Sequence, residues 1–225
     1  MDDPSRQSDN HLVRVQQNVL ARAERRLLNH LCALMPAWVT PNLLTAAGVI
    51  GAVAVLAGYT ASNLDHDWLW LAVAGYLLNW FGDSMDGSIA RYRRIERPRF
   101  GYFLDHSCDG IATFFVLAGV GLSPFVRLDV ALVALTGYLL LSIHAFLSAR
   151  AVGELKLSHL AAGPTEARLI LIALTLAMWT FGLERSHAGA WSGYDVFVGL
   201  AGGVMIVLFV IQTAVTARRI SAHDR

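Results

Sequence analysis

Four aspartates stand out by type and spacing in the segment GDSMDGSIARYRRIERPRFGYFLDHSCDG, residues 82–110. Asp83 and Asp86 stand at i and i+3, and Asp105 and Asp109 at i and i+4, so on helices each pair projects from one face. The first pair falls at the end of one apolar stretch and the second at the start of the next. A carboxylate at a membrane boundary is disfavoured by roughly a few kcal/mol, so four that converge need a compensating partner, and cations are the obvious one. All-oxygen donors suit hard divalent ions such as magnesium or manganese, whereas the absence of a nearby cysteine cluster and the single local imidazole, His106, argue against zinc. Magnesium is the default. Gly87 follows Asp86 directly, and Gly101 shares the helical stripe of Asp105 and Asp109, so both lack a side chain where a ligand would approach. Ala90 completes a small-residue surface, and Arg91 offers a phosphate its planar fork of donors. Acidic, small and basic groups in one pocket point to phosphoryl or phosphodiester chemistry, where ions neutralise charge on the attacking and leaving oxygens and one carboxylate remains as base.

The elements that must position these groups are helices. The chain has 225 residues, 55% of them hydrophobic, and apolar stretches recur between short polar breaks after about residue 40. A bilayer core takes roughly 20 apolar residues per crossing. Spanning helices are expected at about 42–61, 68–92, 101–122, 128–150, 165–183 and 192–216, giving an all-α fold, a six-helix transmembrane bundle. Thr40 and Pro41 supply a cap and a first-turn proline for the first of them. Residues 11–35 carry Leu20, Leu27, Leu28, Leu31 and Leu34 at helical spacing, with Arg22, Arg25 and Arg26 interleaved, which predicts an amphipathic N-terminal helix on the membrane surface. The same pattern also fits a helix packed on its own protein. Two regions follow: residues 1–40 as tail and juxtamembrane helix, and residues 41–220 as the membrane domain. The polar, partly acidic start lacks the form of a cleaved signal peptide.

Net charge is only +1, which argues against nucleic acid as a partner, but the charge is unevenly placed. Connections near 62–67, 123–127 and 184–191 hold Arg127 and Arg185 beside Asp65, Asp67 and Glu184. The opposite side collects Arg22, Arg25, Arg26, Arg91, Arg93, Arg94, Arg97, Arg99, Arg150, Lys156, Arg218 and Arg219. The positive-inside rule puts that side, both termini and the aspartates in the cytoplasm. Cys32 and Cys108 lack metal-ligand spacing and read as free thiols.

The pattern Asp83-x2-Asp86-Gly87-x2-Ala90-Arg91-x9-Gly101-x3-Asp105-x3-Asp109 resembles the full signature of the CDP-alcohol phosphatidyltransferase family, and Pro41-Asn42-x2-Thr45 is similar to the family's first helix start. The resemblance covers the membrane region, more weakly after about residue 125. It implies six helices behind a surface helix, a cytoplasmic site for two divalent ions (Mg2+ or Mn2+), and a homodimer. It implies that Asp83, Asp86 and Asp105 are metal ligands, and that Asp109 is both ligand and base toward the acceptor hydroxyl. Gly87, Ala90, Arg91 and Gly101, with Asn42 and Thr45, fall at positions facing the CDP-linked donor. The reaction implied is transfer of a substituted phosphate to an alcohol acceptor with release of CMP.

Two donor types occur in that family. The small chain favours CDP-diacylglycerol, while Gly163-Pro164-Thr165-Glu166 is similar to the branch using CDP-choline or CDP-ethanolamine on a lipid hydroxyl. A reading from another class is a divalent-metal transporter, since acids within membrane helices also mark ion paths; the gathering of these acids at one membrane face argues against it. Arg93, Arg94, Arg97 and Arg99 read as topology signals and headgroup contacts more than as donor ligands. His144 either lines the acceptor cavity or makes an interhelical bond. Arg150, Lys156, His159, Glu166 and Arg168 surround one connection, where they are loop charge or select the acceptor. Trp38, Trp68, Trp70 and Trp191 read as interface anchors.

Overall fold

The computed structural model describes residues 21–152, 164–182 and 191–223, and every regular element among them is helical. The helices are α1 (Ala21–Leu34), α2 (Pro41–Ala61), α3 (Leu69–Tyr92), α4 (Pro98–Leu122), α5 (Leu128–Val152), α6 (Pro164–Phe181) and α7 (Gly193–His223), with a short 3-10 turn at His66–Trp68. Thr40 caps α2 as expected: its backbone is extended and its Oγ1 accepts the Leu43 N–H at 3.3 Å, with Pro41 at the first position. Pro98 does the same service for α4 and starts it three residues before the expected boundary. The last helix runs to His223, because Arg218 and Arg219 continue it past its apolar stretch.

Among the described residues, five helices, α2, α4, α5, α6 and α7, are long and apolar enough to cross a membrane. Six were expected. The sixth, α3, has 24 residues, and Asn79, Asp83, Asp86 and Arg91 lower its apolar content. Of the N-terminal helix expected at 11–35, α1 covers Ala21–Leu34. Residues 11–20 lie outside the described part, and the buried side of α1, Leu28 and Cys32, packs with Val39, Leu44, Met85 and Ile89.

The helices neighbour one another in the order α6, α3, α2, α4, α5, α7, with α1 set on α3. The closest crossing is α2 on α3, and small residues make it possible. A Cβ on Gly82 would lie 2.4 Å from the Gly48 nitrogen and from the Leu44 carbonyl oxygen; one on Gly51 would lie 2.5 Å from the Asn79 nitrogen. Backbones this close gain van der Waals contact without needing a hydrophobic gradient, the logic of helix pairing in lipid. The main core joins Val55 and Tyr59 of α2, Tyr76 of α3, Val116 and Val120 of α4, and Val130 and Ala134 of α5.

At one end of the bundle the connections are tied together. Asp195, fully buried, accepts the Ser192 N–H at 2.8 Å while Ser192 Oγ accepts the Asp195 N–H at 3.0 Å, a reciprocal capping box opening α7. The other Asp195 oxygen accepts the Arg127 N–H at 2.7 Å, which joins α7 to the α4–α5 connection. Asn63 Nδ2 donates to the Leu122 carbonyl, and Trp179 Nε1 donates to Asp67, so the ends of α2, α4 and α6 meet there too.

Candidate active site between α2, α3 and α4

The last turns of α3 and the first turns of α4 face each other across the start of α2. A cleft there is lined by Thr45 and Gly48 from α2, Asn79, Asp83 and Asp86 from α3, and Asp105, Cys108, Asp109 and Ala112 from α4. The four aspartates are brought together. The glycine crossing sets the geometry, because Gly82 fixes α2 against the turn that carries Asp83: a Cβ on Gly48 would touch the Asp83 nitrogen at 3.4 Å.

Asp86 and Asp83 are held by hydrogen bonds, and His106 borders the other two carboxylates. Thr45 Oγ1 donates to Asp86 Oδ2 at 2.5 Å, and the Gly87 N–H donates to Asp86 Oδ1. Arg168 of α6 bonds Asp83 Oδ2 through Nη2 at 2.7 Å, and its Nε donates to Asn79 Oδ1 at 3.0 Å. Asn79 Nδ2 in turn donates to the Gly48 carbonyl at 2.9 Å. His106 Nδ1 lies 4.0 Å from Asp105 and 3.7 Å from Asp109, its ring packed edge-on against Tyr102 and tilted against Phe146. Among Asp83, Asp105 and Asp109, Asp109 is the most open at 37% exposed, against 32% for Asp105 and 24% for Asp83.

The donor set fits a hard divalent cation. Asp105, His106 and Asp109 each offer one ligand atom within 4.8 Å of the others, and the remaining carboxylates line the same cleft. Cys108 borders the cleft as a free thiol, and Cys32 is likewise free, buried on the inner face of α1.

The other expected site residues are placed unequally. Arg91 is exposed and folds over Gly87, with Nη1 3.3 Å from where a Gly87 Cβ would stand and Nη2 3.3 Å from Ser88 Oγ. Gly101 has open space on its Cβ side, and Ala90 is half-buried on α3. Asn42 stands outside the cleft lining, on the exposed first turn of α2, where its Oδ1 accepts from Arg97 Nη2 at 2.6 Å. Arg97 also lies over the Phe100 ring.

Several polar residues have structural partners. Arg93 donates to the carbonyls of Met35, Pro36, Ala37 and Val39, satisfying the exit of α1 and tying the α1–α2 turn to the end of α3. His144 makes an interhelical contact, 3.3 Å from Thr213 Oγ1 of α7, and sits 3.2 Å from Ser148 Oγ. Glu24 Oε1 accepts from Trp80 Nε1 and Thr165 Oγ1, both at 2.9 Å, and from Ser84 Oγ at 3.4 Å, joining α1, α3 and α6. Arg150 borders a wider cavity of about 520 Å³ beside the cleft, walled by Tyr102, Phe103 and Phe146. Lys156, His159, Gly163, Glu184 and Arg185 lie outside the described residues.

The apolar helices and the shared acidic cleft define a multi-pass membrane protein with a carboxylate centre at one end of its bundle. Residues 38–218 match the CDP-alcohol phosphatidyltransferase family, and the chain belongs to it. It is 32% identical over 101 residues to an archaetidylinositol phosphate synthase of Methanothermobacter thermautotrophicus, covering 45% of this chain and 49% of that protein. It is 30% identical over 122 residues to cholinephosphotransferase 1 of Danio rerio, covering 48% and 32%, and 34% identical over 90 residues to a phosphatidylinositol phosphate synthase of Cutibacterium acnes, covering 40% and 41%. The chain therefore spans about half or less of the curated relatives it matches.

Proposed function

We propose that the protein transfers a substituted phosphate from a CDP-linked donor to a hydroxyl of an alcohol, releasing CMP, with CDP-diacylglycerol as the donor. The observation that carries this reading is the meeting of all four signature aspartates in one cleft, in a chain whose family match spans residues 38–218. Asp83, Asp86, Asp105 and Asp109 would hold magnesium or manganese, as two ions, and when bound these supply charge neutralisation for the donor's diphosphate and the leaving CMP. Asp109, more open than Asp83 and Asp105, takes the proton of the acceptor hydroxyl. The acceptor oxygen then forms a bond to the phosphorus farther from cytidine, and the bond from that phosphorus to the CMP oxygen breaks. Gly87 leaves backbone accessible, Arg91 reaches over it toward the donor phosphates, and Ala90 and Gly101 keep the approach clear. Thr45 serves the donor site through Asp86, whose orientation it holds, and Asn42 does so at the rim, where Arg97 engages it.

The rest of the reading follows the charge pattern, the amphipathic spacing of the N-terminal segment and the resemblance to the family signature. α3 crosses as the sixth span, the basic end of the bundle with both termini and the site faces the cytoplasm, α1 lies along the membrane surface, and two chains pair as a homodimer. Residues 1–40 are then a juxtamembrane region and residues 41–220 the catalytic membrane domain.

The relatives' names divide between inositol phosphate synthases and cholinephosphotransferase, and the latter favours a second reading, a CDP-choline or CDP-ethanolamine phosphotransferase acting on a lipid hydroxyl. Purified protein with magnesium, offered CDP-diacylglycerol, CDP-choline and CDP-ethanolamine across a panel of alcohols and diacylglycerol, separates them by CMP release. CMP from CDP-diacylglycerol alone is expected. CMP from the amino-alcohol donors alone would establish the second reading, and no CMP from any donor in folded protein would sink both.

A further inference from the structure

We infer that Arg168 is a positioning residue for the acidic centre, setting the orientation of Asp83 from a different helix and thereby the affinity of the cluster for its divalent ion. The inference rests on the functional reading above, in which Asp83 is a metal ligand.

Arg168 lies outside the signature, on α6, yet its guanidinium enters the cleft's wall from the side. One nitrogen bonds Asp83 Oδ2 and a second bonds Asn79 Oδ1, so the planar fork spans two residues that are one helical turn apart on α3. Asn79 is fixed by its own bond to the Gly48 carbonyl of α2. The chain Gly48, Asn79, Arg168, Asp83 thus joins three helices, and it is mostly withdrawn from solvent: Asn79 is buried and the Arg168 side chain is 15% exposed. The base of α6 is secured separately, because Thr165, one turn before Arg168, bonds Glu24 of α1. A guanidinium anchored at both ends and holding one carboxylate oxygen limits rotation of that carboxylate. Its positive charge also offsets the mutual repulsion of four carboxylates in one cleft, which is largest when no cation is present. Outer partners of this kind fix the geometry of ligating groups, and their loss costs metal affinity even though they never touch the ion.

The test is direct Mn2+ binding by the purified full chain, read from the free Mn2+ signal in electron paramagnetic resonance, together with kcat and KM for the donor. Arg168→Gln is expected to weaken Mn2+ binding roughly tenfold or more and to lower kcat at saturating donor with little change in donor KM. Arg168→Lys, which keeps the charge but not the fork, is expected to recover part of the Mn2+ affinity. Asn79→Ala, which leaves both charges in place and removes the brace, is expected to weaken binding in the same direction by less, and it serves where Arg168→Gln does not yield a monodisperse protein. Unchanged or tighter Mn2+ binding in folded Arg168→Gln or Asn79→Ala would overturn the inference, as would a donor KM that rises with kcat and Mn2+ affinity intact, which marks a substrate contact instead. A wild-type protein that binds no Mn2+ would overturn the metal reading itself, and this proposal with it.

Discussion

Asp109 and Asp86 sit in the same cleft but are held differently, and their substitutions should read out differently. Asp86 is gripped by Thr45 and by its neighbouring backbone N–H, whereas Asp109 has His106 at 3.7 Å as its ion-pair contact. Removing the base by Asp109→Asn should lower the rate of CMP release by about 10²–10⁴-fold, the usual range for losing a positioned proton acceptor. Thr45→Val removes the hydroxyl that orients Asp86 while keeping the shape of the side chain. It should raise the magnesium concentration needed for half-maximal rate by roughly tenfold, with maximal rate at saturating metal closer to wild type. A Thr45→Val protein with wild-type metal dependence would mean that Asp86 needs no help from α2. The aspartates were legible in the sequence because all four fall within one local pattern, where spacing alone fixes the helix face. Their supports were not: Arg168 is 85 residues from Asp83, Thr45 is 41 from Asp86, and Glu24 is 141 from Thr165. Periodicity carries no information about pairs that only tertiary packing brings together. Asn42 illustrates the converse, since it matches a local motif but is engaged by Arg97 outside the cleft lining.

Between elements, the α2–α3 crossing does the positioning, and it does so through the absence of side chains. Gly82→Val would drive a branched side chain into the Gly48 and Leu44 backbone, where even a Cβ stands at 2.4 Å. Overpacking of this kind costs about 1–3 kcal/mol, and the helices must separate to relieve it. The expected outcome is a thermal unfolding midpoint lowered by several degrees together with loss of activity, because Asp83 is the next residue and moves with the backbone. Gly203→Ala is the matching control, since no atom lies within 4 Å of its Cβ position, and it should change neither. Gly87 and Gly101 stand out in the sequence beside the aspartates, whereas Gly48, Gly51, Gly75 and Gly82 do not, since a glycine that faces another helix looks no different in sequence from one that faces lipid. At the other contact of α3, Cys32 on the inner face of α1 packs with Met85 and Ile89 and is 2% exposed. Burial pushes the Cys32 thiol up from its ordinary value, against the opposing pull of Arg91 and Arg93. At neutral pH the thiol therefore stays protonated and inert. Alkylation by a maleimide at pH 7 should be slow in folded protein and rapid in detergent-denatured protein. Rapid labelling of the folded form would mean that α1 leaves its seat on α3.

For the molecule as a whole, the contacts between helix ends divide the bundle into two faces. Asn63 with Leu122, Asp67 with Trp179, and Arg127 with Asp195 gather the connections that follow α2, α4 and α6 at one end. Glu24 with Thr165, Asn42 with Arg97, and Asp83 with Arg168 gather the starts of α2, α4 and α6 at the other. Six antiparallel crossings would give this alternation, and α3 runs between the same two ends of the bundle as its apolar neighbours, although its acidic turns keep it below them in apolar content. The described arginines follow the same division. Arg25, Arg26, Arg91, Arg93, Arg94, Arg97, Arg99, Arg150, Arg218 and Arg219 all fall at the end that carries the aspartates, and only Arg127 falls at the other among the described residues. By the positive-inside rule a bias that strong predicts that this end of the bundle, with the acidic centre, faces the cytoplasm. The prediction is tested in intact cells with a membrane-impermeant thiol reagent, in a Cys32→Ala, Cys108→Ala background. Asn63→Cys, in the α2–α3 connection, should label from outside without permeabilisation, whereas Ser221→Cys, in the last turn of α7, should label only after the membrane is opened. The reverse pattern would turn the active site outward and remove it from its donor, and labelling of both positions from outside would require an odd number of crossings, with α3 lying short of the membrane.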